Sequence, residues 1–166
     1  MYIFEFTDKE IRIYNKKKNQ LYIETIPPNL IVNNKIYDYL QLVNLLTKIL
    51  NKYKILNSIF RINIKILIFE NMSPSDIYLF KNLFKVISNV SIEIISVYRY
   101  FNDKTIFISG DKIYYKNKLL KNIEEGIFTL VGISEDFELV KERLEKKHKI
   151  KIFEYENSDT IIYEKV

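Results

Sequence analysis

The chain opens with three short runs in which apolar and polar positions alternate, Tyr2–Phe6, Glu10–Asn15 and Gln20–Thr25. The second sets Ile11 and Ile13 against Glu10 and Arg12, the period-two spacing of a half-buried strand. Polar connections, Thr7-Asp8-Lys9 and Lys16–Asn19, separate the runs, so the spacing predicts a three-stranded meander. Pro27-Pro28 ends it. From Tyr37 to Tyr53 the period becomes helical, with Leu42, Leu45, Leu46, Ile49, Leu50 and Tyr53 on one arc. The continuous apolar run Asn63–Phe69 suits a buried central strand. Ser73-Pro74-Ser75-Asp76 is a helix start: Ser73 caps, Pro74 takes the first helical position and Asp76 is the capping-box carboxylate. Beyond it Ile77, Phe80, Phe84 and Ile87 share a face, and Ser91–Val97 returns as a strand.

A second block repeats the plan in less space. Thr105–Ser109, Lys112–Lys116 and Leu119–Ile123 predict a short meander, and Gly126–Val131 a further strand. Ser134 is the expected cap of a helix whose apolar face is Phe137, Val140 and Leu144. Ile150–Tyr155 and Thr160–Glu164 are predicted as closing strands. The expectation is an α/β protein with mixed sheets flanked by helices: a complete first unit over 1–102 and a shortened second unit over 103–166.

Composition narrows the chemistry. Hydrophobic residues are 48% of the 166 and charged residues 28%, a balance that folds around a core without staples. The absence of cysteine excludes disulfides and thiolate metal sites, and the single histidine, His148, reads as part of a solvated helix end with Lys146, Lys147 and Lys149. Glu5, Asp8 and Glu10 break any signal-peptide pattern at the start, and runs such as Ile64–Phe69 are too short to cross a bilayer. A cytoplasmic protein is expected. A net charge of +5 invites a nucleic-acid reading, but the lysines are spread over loops and solvent faces. Together with abundant Ile, Asn and Tyr they are what an AT-rich genome would impose.

Three strands, a helix, a strand, a helix and a strand is the ribonuclease-H-like order, and two such units in tandem resemble the actin, Hsp70 and sugar-kinase plan. Within that superfamily the first hundred or so residues look most like the bacterial actin homologue MreB; the division protein FtsA and the pilus-assembly protein PilM share the plan. Ile23-Glu24-Thr25-Ile26-Pro27-Pro28 falls where the family has an "EPS" segment, and Glu70-Asn71-Met72-Ser73-Pro74-Ser75-Asp76 where it has "PSGIT". The strand Ser91–Val97 with Tyr98-Arg99-Tyr100 falls at "VYLIEEPMAAA", and Phe128–Ser134 resembles the "LTGGGA" turn.

The departures imply lost catalysis. In place of the family's strand-one aspartate and Gly-Thr turn stand Glu5, Phe6, Thr7, Asp8 and Lys9, with an acidic Asp8 facing any phosphate. The second phosphate loop, "DxGGGT" in the family, becomes Ile106–Asp111 with Gly110 alone, and of the adenosine-contacting glycines only Gly132 remains. Phosphate cradles need glycine for close backbone approach. The resemblance thus implies a non-catalytic scaffold or partner-binding protein of cell shape, division or pilus assembly. It implies no cofactor, vestigial positions at Glu5, Thr7, Gly110 and Gly132, and a protein partner or self-association, at the inner face of the membrane if a partner sits there.

Two other readings stand beside it. A ribonuclease-H-like nuclease would use Glu5, Glu70 and Asp111 as Mg²⁺ ligands; the plain alternative is a vestige and an exposed strand end. A working ATPase with degenerate loops is the third. Tyr98-Arg99-Tyr100-Phe101 reads either as a partner-binding surface or as core. Lys16-Lys17-Lys18, with Tyr14 and Tyr22 nearby, reads either as a basic-aromatic patch for nucleic acid or, more commonly, as a hairpin tip with solubilising lysines.

Overall fold

A computed structural model describes residues 1–56, 60–132, 137–158 and 160–166. The chain forms two compact units, Met1–Leu67 with Met72–Ile95 and Ile68–Asn71 with Ser96–Val166.

The first unit is built on a five-stranded sheet. β1 (Tyr2–Phe6), β2 (Glu10–Asn15) and β3 (Gln20–Thr25) form the expected antiparallel meander, and β6 (Ile62–Ile68) lies parallel to β1. With β7 (Val90–Ser96) outside β6, the order is β3-β2-β1-β6-β7. α1 (Tyr39–Lys52) starts at Asp38, whose carboxylate accepts from the Gln41 amide, and buries Leu42, Leu46, Ile49 and Leu50. α2 (Pro74–Asn82) starts as its sequence dictates: the Ser73 hydroxyl accepts from the Asp76 amide at 3.2 Å, with Pro74 in the first turn. This helix is shorter than the apolar face suggested. Phe84 and Ile87 are buried from the turns that follow it. The core centres on Phe4, Phe6, Phe80 and Phe84, with Phe84 edge-on to Phe4 at 4.8 Å.

A short hairpin, β4 (Ile31–Val32) and β5 (Lys35–Ile36), precedes α1 and was not expected. Its two turn residues, Asn33 and Asn34, have φ of 50° and 59°, the double positive that a two-residue hairpin needs.

The second unit repeats the order: β10 (Lys118–Leu119), β9 (Lys112–Tyr115), β8 (Thr105–Ser109), β11 (Ile127–Gly132), β12 (Lys151–Asn157). β8 and β9 are antiparallel, while β11 runs parallel to both β8 and β12. Both units are therefore ribonuclease-H-like, and their tandem occurrence is the actin-like plan. The second is shortened where the sequence is short: residues 120–126, between β10 and β11, hold no helix. α3 (Phe137–His148) covers one sheet face through Phe137 and Leu144. The expected cap Ser134 lies outside the described residues.

The closing segment corrects the sequence reading. Thr160–Glu164 was expected as a strand on its β-branched content, but Ile161–Lys165 is a helical turn, α4. It buries Ile162 and Tyr163, and the Glu164 amide bonds back to the Thr160 carbonyl at 2.9 Å. A five-residue apolar run does not carry its own period, so burial decided. Among the described residues no helix is long and apolar enough to cross a membrane.

Candidate functional site

The β1–β2 turn is where the resemblance places the first phosphate loop, and its hydrogen bonds are turned inward. The Thr7 hydroxyl donates to the Glu10 carbonyl at 3.1 Å and accepts from the Glu10 amide at 3.0 Å and the Lys9 amide at 3.3 Å. Two amides of the turn thus already have an acceptor within the turn. The Asp8 carboxylate accepts from the Asn33 amide at 3.0 Å, tying this turn to the β4–β5 hairpin, and the Lys9 carbonyl accepts from the Ile26 amide at 2.8 Å.

Glu5 lies on β1 at 2% exposure. Its carboxylate is 3.7 Å from the guanidinium of Arg12, the residue opposite it on β2, and Arg12 also bonds Glu10 at 2.6 Å. A buried carboxylate needs a counter-charge, and here the chain supplies its own.

Gly110 has a φ of 60° and is the first of the two residues linking β8 to β9, where tight hairpins favour glycine. Gly132 has a different reason to be glycine. Its φ is 138°, and a Cβ there would stand 2.2 Å from the Ile108 carbonyl oxygen on the neighbouring strand. Strand packing alone accounts for it.

Asp111 is exposed in the β8–β9 turn, and Glu70 is half-buried after β6 beside Asn71, whose amide donates to the Asn117 carbonyl at 3.0 Å. Among the described residues no group of three or more histidine, aspartate or glutamate side chains could hold a metal ion.

The aromatic run after β7 forms a 3-10 turn, Val97–Arg99. Tyr98 and Phe101 each meet Phe107 edge-on at 5.0 Å, and Phe69 joins them from 5.8 Å. The Tyr98 hydroxyl has no hydrogen-bond partner of normal geometry among the described residues. Burial raises its pKa far above the ordinary tyrosine value, partly opposed by the nearby Asn117 backbone. Arg99 is exposed and Tyr100 half-buried. The sequence reading missed the role of Arg12 and the Asp8–Asn33 tie. Arg12 was visible as a cation opposite Glu5 across a predicted hairpin; the tie spans 25 residues and had no local signal.

No family model matches the sequence, and no curated protein matches it. Solved structures do. One is the ethanolamine utilization protein EutJ from Carboxydothermus hydrogenoformans, 10% identical over 72% of this chain and 49% of that one, with a TM-score of 0.46. A second is MreB5 of Spiroplasma citri bound to ADP, 14% identical over 72% of this chain and 50% of that one, with a TM-score of 0.45. A third is a Bacteroides thetaiotaomicron protein with an actin-like ATPase fold and unknown function, 11% identical over 92% and 90%, with a TM-score of 0.49. The chain spans about half the length of the first two.

Proposed function

We propose that this protein is a non-catalytic actin-like scaffold or partner-binding module in bacterial cell shape, division or pilus assembly, no longer an ATPase. The observation that supports this reading most directly is the inward closure of the β1–β2 turn. Thr7 takes up the amides of Lys9 and Glu10, and the Asp8 carboxylate is fixed on Asn33. A phosphate would have to displace the first and repel the second. Gly110 and Gly132 add weight, because each has a role within its sheet that calls for no nucleotide. The function then rests on surfaces and not on a reaction, and a cytoplasmic location, free or beside a membrane-bound partner, follows.

Thermal melting with ATP–Mg²⁺ tests it. A ligand at a hundred times its Kd stabilises the native state by about 2.7 kcal/mol. For a chain of this length that is a rise of about 5–10 °C in Tm. The expected result is no shift with ATP–Mg²⁺ or ADP–Mg²⁺. A saturable rise with either would overturn the loss of nucleotide binding.

A further inference from the structure

Among the described residues the two units differ in the connection from third to fourth strand. In the first, the connection from third to fourth strand carries α1, with Leu42, Leu46, Ile49 and Leu50 buried in the core. In the second, the same connection is residues 120–126, without a helix. The core on that face, which includes Ile106, Ile108, Phe128 and Leu130, is covered by α3 and by half-buried Leu120 and Ile123. Two cavities flank Leu120, and it lines both. One of about 420 Å³ is lined by Tyr115, Leu119 and Ile123; the other, of about 330 Å³, by Ile113, Val140 and Leu144. The two cavities meet at Leu120 and make a groove of mixed apolar and charged lining beside α3, along the connection that carries a helix in the first unit. Lys116, Lys118 and Lys121 line the first cavity with Glu124. Arg143 and Lys147 line the second with Asp111.

We propose that this groove docks an amphipathic helix from a partner protein, one with an apolar stripe at helical spacing and acidic residues along its flanks. The apolar floor takes the stripe as helix-in-groove recognition requires, and the basic excess at the rim selects the flanks. The same charge disfavours the α1 helix of a second copy, which carries Lys48 and Lys52 and no acidic residue. Single-stranded nucleic acid is held by stacking on a series of aromatic rings, and the lining of the two cavities offers Tyr115 in the first and the His148 imidazole in the second, too few for a stacking platform. The proposal names a partner class for the scaffold reading and rests on it. The groove excludes Thr7, Gly110 and Gly132, so ATP melting and the following titration fail separately.

The full chain, isotope-labelled, is titrated with two synthetic helices sharing one leucine stripe, one flanked by glutamate and the other by lysine. The glutamate helix is expected to bind saturably and shift the amides of Leu120, Ile123 and Val140, and the lysine helix not to bind. The charge reversal Lys118→Glu with Lys121→Glu, at two exposed positions, should raise Kd by about tenfold or more while leaving the melting temperature unchanged. No saturable binding of the glutamate helix, equal binding of both helices, or shifts that map elsewhere or survive the reversal would overturn the proposal. So would an oligothymidylate that takes the same amides in preference to the helix.

Discussion

Replacing Gly132 by alanine should destabilise the second unit strongly, and far more than Gly126→Ala. Two effects combine. The backbone φ of 138° is one that L side chains rarely adopt, and holding a non-glycine residue in such a region costs about 1–3 kcal/mol. The new Cβ would also sit 2.2 Å from the Ile108 carbonyl oxygen and 2.9 Å from its amide nitrogen. Those neighbours are main chain in the paired strand, so relief requires β8 and β11 to part locally, an overpacking cost of about 1–3 kcal/mol. Together a loss of about 3–5 kcal/mol is expected, read by urea unfolding of wild type and variant followed by far-ultraviolet circular dichroism. Gly126→Ala is the internal control: its Cβ would meet side chains alone, the edge of the Phe128 ring at 3.2 Å and the Lys104 Nζ at 3.9 Å, and no positive φ is involved. If Gly132→Ala lost less than about 1 kcal/mol, or no more than Gly126→Ala, the strand-packing account of this glycine would be wrong.

Three further outcomes are expected. Arg12→Leu leaves the buried Glu5 carboxylate without its guanidinium and should cost about 3–5 kcal/mol in denaturant unfolding; adding Glu5→Leu should restore much of that, and a double variant no better than the single one would sink the pairing. Ser73→Ala removes the cap of α2 and should cost about 1 kcal/mol by the same assay, with no change counting against the cap. Hydrogen bonds from Lys52 and then Tyr53 hold the Glu24 pKa below its ordinary 4.5. Its contribution is therefore complete above that value and is lost as pH falls through the lower folded value. Acid titration of unfolding should give Glu24→Gln a shallower fall below about pH 4.5 than wild type, and parallel curves would contradict the sign.

The long periodic elements were legible because their pattern is local. β2 and β3 occur at the bounds that alternation gave, and Ser73-Pro74-Ser75-Asp76 fixed the start of α2. The misses come from signals that are short or distant. Ile31–Ile36 offers two residues per strand, too few for a period, and its hairpin is set by paired asparagines at the turn. Thr160–Glu164 has strand composition, yet its place beyond the last strand makes it a helical turn with buried Ile162 and Tyr163. At the candidate site, loss of glycine was readable, but what replaced the open loop was not. The Asp8–Asn33 bond depends on two turns meeting in space. Leu119–Ile123 was expected as the third strand of the second meander, but only Lys118–Leu119 pairs there, and residues 120–126 form neither strand nor helix.

The turns also record how the chain came to contain three glycines. Among the described residues, every non-glycine position with positive φ is asparagine or lysine: Asn19, Asn29, Asn33, Asn34, Lys54, Lys116, Asn117 and Lys149. Those two amino acids share the AAN codon box, whereas glycine is GGN. Mutational drift toward adenine could thus exchange glycine wherever a turn demands only a left-handed dihedral, which asparagine tolerates at small cost. It has no substitute where the demand is a missing Cβ, as beside the Ile108 carbonyl. Gly132, unlike Gly110 in the β8–β9 turn, is therefore a glycine whose place no asparagine could take, because what the sheet requires there is a missing atom and not a dihedral.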